Sequence, residues 1–427
     1  MVILPGEIMQ ELMTVSDAAL ALNVSIDTIR RWEKKGLIKA WRDNKNYRMF
    51  DIHELRRAHD KYVGGDTQQN RYTILQTKKK TKYTSIELFA GAGGLALGME
   101  NAGIKHSLLV EIDKHAAATL KNNRPKWNVN CADAREVTYE GMSVDIVTGG
   151  FPCQAFSYAG NQMGFEDARG TLFFELARCI KEVQPKIAVG ENVRGLLAHD
   201  DGKTLRAMLS ILDDLGYRVA FRVLRAQYLD VPQKRERLVI IAVRKDLDLP
   251  ILFPKENDYT ISMREALENV PLSPGQVYPI RKREIMELVP AGGYWRDLPI
   301  DLQKEYMAGS FHLGGGKTGM ARRLAWDEPS LTLTCSPAQK QTERCHPTET
   351  RPLSVREYAR IQTFPDDWVF QGSTSIQYKQ IGNAVPVNLG YHVGRCLIAM
   401  LNGKPDYETM EEVKLNESLL PAQGKLI

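Results

Sequence analysis

The sequence predicts an α/β protein with a mostly parallel sheet, preceded by a small helix-turn-helix unit and interrupted by an irregular lobe. Short apolar runs between residues 84 and 243 alternate with amphipathic segments of helix length, which is typical of a parallel sheet with helices on its faces. Before them, residues 12–60 contain two short helix patterns separated by a tight turn. From about residue 250 to 349 this alternation fades into loops rich in glycine and proline.

The length and composition are typical of a soluble globular protein with more than one domain and leave room for an enzyme. A chain of 427 residues can form a sizeable catalytic core and a smaller domain. Hydrophobic residues at 43% and charged residues at 26% are ordinary for a globular protein, and no leader or apolar run near 18 residues is found, so we expect a cytoplasmic protein without membrane association. The six cysteines include no C-x-x-C pair, so neither a metal site nor a disulfide framework is expected.

The positive charge of the chain is concentrated near its N-terminus. Residues 1–82 carry 16 Lys and Arg against 10 Asp and Glu, whereas the net charge of the whole chain is only +5. Such an excess is a mild indication of a polyanion partner, although a solvated basic surface would have the same composition.

The N-terminal segment has the pattern of a winged helix. In "TVSDAALALNVSIDTIRRWEKKGLI" one helix is predicted at Val15–Leu22 and a second from the Ser25 cap to Gly36, followed by a two-stranded wing and another helix. This pattern resembles the DNA-binding domains of the MerR and excisionase types; a helical adaptor that does not touch DNA is the alternative. The candidate DNA contacts are Thr28, Arg30 and Arg31 in the second helix and Arg42, Lys45 and Arg48 in the wing.

A glycine-rich turn follows the first strand of the α/β region. In "IELFAGAGGLALGME" the glycines Gly91, Gly93 and Gly94 allow a ligand to approach the backbone, and the acidic Glu111 follows twenty residues later. Asp133, in "NVNCADA", is a further candidate that could accept a hydrogen bond from an adenine amino group. The turn alone does not distinguish a nicotinamide cofactor from S-adenosylmethionine, since both require an acid on the ribose hydroxyls.

A second group of reactive residue types follows later strands. Cys153 lies in "GGFPCQAFS" after an apolar run, Glu191 lies in "GENVRGLL", and Arg235 and Arg237 precede a strand in "VPQKRERLVIIAV". Two arginines at positions i and i+2 lie on one side of an extended chain. Active sites of parallel sheets lie at the carboxyl ends of the strands, and the unusual residues of this chain fall there.

Eight motifs in this order resemble those of the cytosine-C5 DNA methyltransferases over residues 85–402. They are FAGAGG, VEID, ADA, GGFPCQAFS, ENV, QKRER, RPLSVREYARIQTFP and QIGNAVP. The resemblance implies a Rossmann-like, S-adenosylmethionine-dependent methyltransferase core with a smaller target-recognition lobe. It also implies domains at 1–62 (winged helix-turn-helix), 63–83 (flexible linker), 84–246 with 351–405 (catalytic), 247–350 (target recognition) and 406–427 (tail).

The resemblance assigns a chemical role to each residue at the reacting end. Cys153 is implied as the nucleophile that adds to carbon 6 of cytosine, Glu191 as the acid at N3, and Arg237 as the cation at O2, with Arg235 lowering the pKa of the thiol. Gln154 and Ser157 are implied as contacts to the DNA from which the cytosine has been flipped.

The resemblance also assigns the S-adenosyl-L-methionine pocket. Glu111 is implied to bind the ribose and Asp133 the adenine, and Ile112 departs from the family, where that position is often aromatic. The full cofactor set is Phe89, Gly91, Gly93, Gly94, Glu111, Ile112, Asp133, Ala134, Pro152, Leu172, Asn383 and Ala384.

These features favour a DNA cytosine-C5 methyltransferase of a bacterial restriction-modification system. We expect it to act on double-stranded DNA as a monomer, and its N-terminal domain to bind operator DNA near its own gene. An RNA cytosine methyltransferase is disfavoured by the long lobe and the PCQ tripeptide, and a transcription factor with an inactive enzyme half is disfavoured by the intact Cys153, Glu191 and Arg237. Amino-methylation of adenine or cytosine is disfavoured because no D/N-P-P-Y/F segment occurs.

Overall fold

The structure is a computed structural model that describes residues 12–22, 24–43, 46–59, 70–151 and 171–413. The chain divides into two compact units, of which the first comprises residues 1–72 and 261–357 and the second comprises residues 73–260 and 358–427. Each unit is therefore built from two separate stretches of sequence.

A seven-stranded sheet forms the centre of the second unit, and it confirms the α/β fold predicted from the sequence. Its strand order is β6-β5-β4-β7-β8-β11-β9. The first five strands in this order run parallel, and β11 is antiparallel to both of its neighbours. The strands are β4 (Thr84–Leu88), β5 (Lys105–Val110), β6 (Val129–Asn130), β7 (Ile146–Gly150), β8 (Ile187–Val193), β9 (Tyr217–Arg225) and β11 (Glu236–Arg244), with the short β10 (Gln233–Lys234) preceding the last.

Helices cover both faces of this sheet and bury two separate apolar cores. One core packs the apolar side chains of α6 and α7 against the sheet, and the other packs those of α4 and α13. Side-chain or glycine caps explain where several of these helices begin and end, for example Asp113 at the start of α5 and Thr171 at the start of α6. These helices are α4 (Gly94–Ala102), α5 (Lys114–Asn123), α6 (Leu172–Val183) and α7 (Lys203–Asp214).

The C-terminal part of the chain returns to the sheet through the helices α11 (Val355–Ile361), α12 (Thr374–Asn383) and α13 (Val387–Asn402). By length and composition, residues 374–402 could cross a membrane, but 72% of their most apolar window is buried inside the protein. Because α12 and α13 are separate helices on either side of Pro386, this stretch is a pair of core helices.

Residues just outside two predicted boundaries of the catalytic domain belong to the same compact unit as that domain. The strand β12 (Leu252–Pro254) pairs with β14 (Met410–Glu412), so residues assigned to the lobe and to the tail lie in the second unit. Burial of Leu252 and Phe253 in the apolar core is the physical reason.

Part of the predicted flexible linker, residues 63–83, is likewise held by the second unit. Asn388 accepts a hydrogen bond from the Leu75 amide at 2.9 Å and donates one to the Thr73 carbonyl at 2.8 Å. The Thr81 amide also donates to the Gly103 carbonyl. Residues 61–69 lie outside the described part of the chain.

The N-terminal part of the first unit is a winged helix. Its sheet has the order β1-β3-β2, and its core contains Ala18, Ile29, Trp32, Phe50 and Leu55. Thr14 caps the first helix of the helix-turn-helix and Ser25 caps the second, so the predicted Ser25 cap is confirmed. The elements are β1 (Leu12–Thr14), α1 (Val15–Ala21), α2 (Ile26–Lys34), β2 (Ala40–Arg42), β3 (Arg48–Asp51) and α3 (Ile52–His59).

Residues 261–357 of the first unit form an irregular lobe with short elements. Its apolar core includes Met286, Trp295, Tyr306 and Met307. The buried Arg323 donates hydrogen bonds to several backbone carbonyls and so holds loops together where regular structure is lacking. The elements are α8 (Met263–Leu267), α9 (Ile280–Glu287), α10 (Ile300–Met307) and β13 (Ser330–Leu331).

Candidate active site

A cleft of about 690 Å³ lies at the carboxyl ends of the parallel strands in the second unit. This is the edge of the sheet where ligands bind in open α/β folds. Among the residues predicted from the sequence, its lining contains Phe89, Gly91, Gly94, Glu111, Asn383 and Ala384 of the cofactor set and Glu191, Arg235 and Arg237 of the reacting set.

The glycine-rich turn forms one end of this cleft. After β4 the backbone takes positive φ at Phe89 (58°) and Gly91 (55°), and α4 begins at Gly94. A Cβ atom on Gly94 would lie 2.0 Å from the carbonyl oxygen of Val385, so no larger residue fits there without movement of the backbone. The turn is therefore packed directly against the segment between α12 and α13.

Glu111 follows β5 and is held by the backbone of the same turn. Its Oε2 accepts a hydrogen bond from the Gly91 amide at 2.7 Å, and its Oε1 accepts one from the Asp113 amide at 2.7 Å. Burial raises the pKa of Glu111, and the two amide donors oppose that rise. A fixed acceptor at this position suits the hydroxyl groups of a ribose.

Asp133 is bound by its neighbour Arg135. The two side chains form an ion pair with 2.5 Å between Arg135 Nη2 and Asp133 Oδ2, which lowers the pKa of Asp133 to about 2. Ile112 is 66% exposed. Five described members of the predicted cofactor set are absent from the cleft lining, namely Gly93, Ile112, Asp133, Ala134 and Leu172, and their assignments stay predictions.

Glu87 lines the cleft but was not among the predicted site residues. It lies in β4, is 2% exposed, and accepts a hydrogen bond from the Thr148 hydroxyl at 3.2 Å. Burial raises its pKa to about 8. An acid inside the apolar run "SIELF" was the signal in the sequence, because buried carboxylates in strands are rare unless they have a function.

Glu191 and Arg237 form an ion pair at the opposite end of the cleft. They lie on the antiparallel strands β8 and β11, and 2.7 Å separates Arg237 Nε from Glu191 Oε1. Burial raises the pKa of Glu191, although Arg237 and then Arg235 oppose the rise through their charges. Burial lowers the pKa of Arg237, and the charge of Glu191 opposes that change. Because β11 runs antiparallel to β8, the start of β11 lies beside the end of β8, and this brings Glu191 and Arg237 together.

The chain that leads to Cys153 starts beside Glu191. In the parallel pair of β7 and β8, Gly150 is in register with Glu191, and a Cβ on Gly150 would lie 3.1 Å from Glu191 Oε2. The buried Asn192 donates from Nδ2 to the Phe151 carbonyl at 2.8 Å. The predicted residues Pro152, Cys153, Gln154 and Ser157 lie outside the described part of the chain.

Arg235 is almost completely buried, and its charge also acts on Glu191. Its Nη2 donates to the carbonyls of Gly382 at 3.1 Å and Ala384 at 3.0 Å. It therefore contacts the backbone of the segment that joins α12 and α13.

The candidate DNA contacts of the winged helix have different surroundings. Arg30, Arg42 and Arg48 are exposed, whereas Thr28 is 1% exposed and its hydroxyl donates to the Asp327 carboxylate of the irregular lobe. Arg31 donates to the Asp327 carbonyl at 3.4 Å. Lys45 lies outside the described residues. DNA contact by any of these side chains stays a prediction.

The fold and the cleft together define the class of protein. A doubly covered sheet with a glycine turn on a central strand and buried acids beside that turn are the features of an α/β enzyme that binds a nucleotide-like cofactor. Glu111, held by two backbone amides, fits the ribose hydroxyls of such a cofactor.

Comparison with known families identifies the reaction. Residues 83–399 match the family of C-5 cytosine-specific DNA methylases, and residues 14–50 match the MerR family of regulatory proteins. The chain belongs to the C-5 cytosine-specific DNA methylase family, so it is a DNA (cytosine-5-)-methyltransferase that uses S-adenosyl-L-methionine.

Several relatives support this membership. The chain is 54% identical to Type II methyltransferase M.Eco47II of Escherichia coli over 92% of this chain and 97% of that protein. It is 59% identical to Type II methyltransferase M.PspPI of a Psychrobacter strain over 76% and 80% of the two chains. It is similar in fold to a putative DNA modification methyltransferase encoded within a prophage of Escherichia coli, with a TM-score of 0.55 and 22% identity over 75% of this chain and all of that one.

Proposed function

We propose that the enzyme methylates carbon 5 of a cytosine that has been flipped out of duplex DNA, through a covalent adduct with Cys153. Bound S-adenosylmethionine supplies an electrophilic methyl group. Carbon 5 of cytosine is a poor nucleophile until the Cys153 thiolate has added to carbon 6. As the sulfur–carbon bond forms, N3 takes a proton from Glu191 and the charge that grows on O2 is stabilised by Arg237. After methyl transfer a solvent base takes the carbon 5 proton, the electron pair of that bond forms the carbon 5–carbon 6 double bond and expels the Cys153 thiolate, and N3 returns its proton to Glu191, which restores the ring.

The observation that carries this proposal is the largely buried ion pair of Glu191 and Arg237 beside the strand that leads to Cys153. A raised pKa keeps a larger fraction of Glu191 in the protonated form that can donate to N3. Arg237 remains charged at any ordinary pH and can stabilise an oxyanion. Base flipping is required because carbon 6 is inaccessible within the base stack.

Trapping with 5-fluorocytosine tests the adduct directly. A fluorine at carbon 5 cannot leave as a cation, so the complex with a substituted target duplex should survive denaturing electrophoresis when S-adenosylmethionine is present. Cys153→Ala should abolish the trapped band, and Cys131→Ala, which changes an exposed cysteine, should not. Trapping by the Cys153 variant would contradict the proposal.

We further propose that the methylation protects host DNA from a cognate restriction endonuclease in the cytoplasm. The names of the relatives, which are Type II methyltransferases, support this role. We expect a monomer to be the catalytic species, which light scattering of the enzyme bound to a short duplex would check. Bisulfite sequencing of DNA from cells that express the protein should show one short motif methylated nearly completely.

For the winged helix we propose binding to operator DNA near the gene of the enzyme, which would limit the amount of methyltransferase. The match to MerR regulatory proteins and the exposed Arg30, Arg42 and Arg48 support this role. The double variant Arg30→Ala/Arg48→Ala should lose a mobility shift on the upstream DNA while methylation specificity is retained. If the double variant bound unrelated DNA as weakly as the upstream DNA, the winged helix would only add non-specific affinity for DNA to the enzyme.

A further inference from the structure

The segment between α12 and α13 is held by two buried side chains. The last carbonyls of a helix lack partners within the helix. Here Arg235 Nη2 donates to the carbonyls of Gly382 and Ala384 at 3.1 and 3.0 Å, and Gln362 Nε2 donates to those of Ile381 and Ala384 at 2.7 and 3.1 Å. Both side chains are almost completely buried, at 2% and 0% exposure.

Arg235 is itself fixed by its surroundings. The Arg235 carbonyl accepts a hydrogen bond from the Ala226 amide at 2.8 Å, and the Arg235 amide donates to the Gln233 carbonyl at 2.9 Å. The side chain of Gln233 in turn donates to Gln362 Oε1 at 2.8 Å. A buried cation is tolerated here because the carbonyl end of a helix carries partial negative charge.

The carbonyls that Arg235 holds belong to the wall of the cofactor cleft. Gly382, Asn383 and Ala384 line the cleft, and the carbonyl of the next residue, Val385, is packed against Gly94 of the glycine turn. A shift of the segment would therefore move one wall of the cleft and the contact with the opposite wall together.

Arg237 differs from Arg235 in its partner. It pairs with the carboxylate of Glu191 at 2.7 Å, whereas Arg235 Nη2 donates to two backbone carbonyls of the cofactor wall. The two arginines are two positions apart in the chain and line the same cleft, but they bond to different groups.

We propose that Arg235 is a positioning residue for S-adenosylmethionine: it holds the 382–385 segment in the conformation that closes the cofactor cleft. Its effect on the reaction passes through the affinity for the cofactor. This role is independent of the covalent mechanism at Cys153, so failure of either can be recognised separately.

The test compares Arg235→Met with Arg237→Met in the full-length protein. The dissociation constant of S-adenosylhomocysteine is measured by calorimetry without DNA, and the single-turnover methylation rate is measured at saturating S-adenosylmethionine. Arg235→Met should raise the dissociation constant by about tenfold or more, because two charge-assisted hydrogen bonds are lost, and this rise should exceed the fall in rate. Arg237→Met should show the opposite pattern, with a large fall in the methylation rate and little change in the affinity for S-adenosylhomocysteine.

Two further variants protect the test against a folding defect, which thermal melting would detect. Arg235→Lys keeps the charge and should recover part of the affinity, and Gln362→Met removes the other donor to Ala384 and should weaken cofactor binding in the same direction. An unchanged dissociation constant in both Arg235→Met and Gln362→Met would overturn the proposal, as would an Arg235→Met enzyme that loses rate but binds the cofactor normally.

Discussion

The side chain of Asn192 donates a hydrogen bond from Nδ2 to the carbonyl of Phe151 at 2.8 Å. Asn192 directly follows the proposed acid Glu191, and Phe151 lies two residues before the proposed nucleophile Cys153. This bond therefore ties the residue after the acid in β8 to the residue that follows β7. Asn192 was not among the predicted site residues.

Replacement of Asn192 by alanine should slow methyl transfer without loss of cofactor. Release of the Phe151 carbonyl would displace the start of the Cys153 segment, and a misplacement of about 1 Å can cost on the order of 10² in rate. The checks are the single-turnover rate and the affinity for S-adenosylhomocysteine. Asn128→Ala removes a comparable bond to the Ser107 carbonyl and should have no effect on rate; equal rates in the two variants would refute the role of Asn192.

Glu191→Gln should lower the rate by on the order of 10², the scale expected for loss of a positioned acid. Because the acid must be protonated and burial raises its pKa, the wild-type rate should fall as pH rises through that elevated pKa. The variant should lack this limb of the pH profile. Glu236→Gln, which changes an exposed acid paired with Arg194, serves as the control and should retain the limb. A limb that persists in Glu191→Gln must come from another group.

Glu87→Gln should change the pH dependence of stability. Folding raises the pKa of Glu87 from 4.5 to about 8, so the folded state binds the proton more tightly than the unfolded state. The stabilisation is complete below about pH 4.5 and is lost as pH rises toward 8. Melting temperatures of the cofactor-free protein between these limits should therefore fall more steeply for wild type than for the variant. Parallel curves would show that Glu87 does not titrate in this range.

Gly94→Ala should destabilise the protein and weaken cofactor binding. The added Cβ would lie 2.0 Å from the Val385 carbonyl, and overpacking of this kind typically costs about 1–3 kcal/mol. Gly309→Ala is the matched control, since a Cβ at Gly309 would meet no atom within 4 Å. Differential scanning calorimetry with and without S-adenosylhomocysteine measures both effects. A melting temperature equal to that of wild type would mean that the turn can move freely.

Asp327→Ala should strengthen binding of the winged helix to upstream DNA. Asp327 accepts hydrogen bonds from the Ser25 amide and the Thr28 hydroxyl at the N-terminal end of α2, which is the end that approaches bases in helix-turn-helix proteins. Loss of the carboxylate would free these donors. Fluorescence anisotropy with a labelled upstream duplex measures the affinity, and Glu287→Gln, an exposed acid of the same lobe, controls for charge. Equal gains in both variants would reveal a charge effect alone.

The sequence predicted those parts of the site that depend on local pattern. The strand end that carries Glu191 could be read from its apolar run, whereas its contact with Arg237 depends on the antiparallel direction of β11, which the sequence did not indicate. The partners of Arg235 could not be predicted, because they are backbone carbonyls 147 and 149 positions away and carry no residue-type signal.

Long-range contacts also explain why residues 73–83 and Thr28 differ from the sequence-based predictions. Residues 73–83 have the polar composition of a linker, yet Thr73 and Leu75 bond to Asn388, more than three hundred positions along the chain. Burial of Thr28 by Asp327 likewise joins residues 299 positions apart. In both cases a side chain that is polar in sequence is used for tertiary contact, which composition cannot show.

The cofactor cleft takes one wall from residues 89–94 and another from residues 376–385, so it is complete only after the second of these segments has been synthesised. The winged helix, by contrast, ends at His59 and leaves the ribosome before either wall. A nonsense mutation or abortive translation anywhere between these points would release a product that has the helix-turn-helix but lacks the second wall. Such fragments would be unable to modify DNA, and in a cell that also contains a restriction enzyme they would leave the genome unprotected.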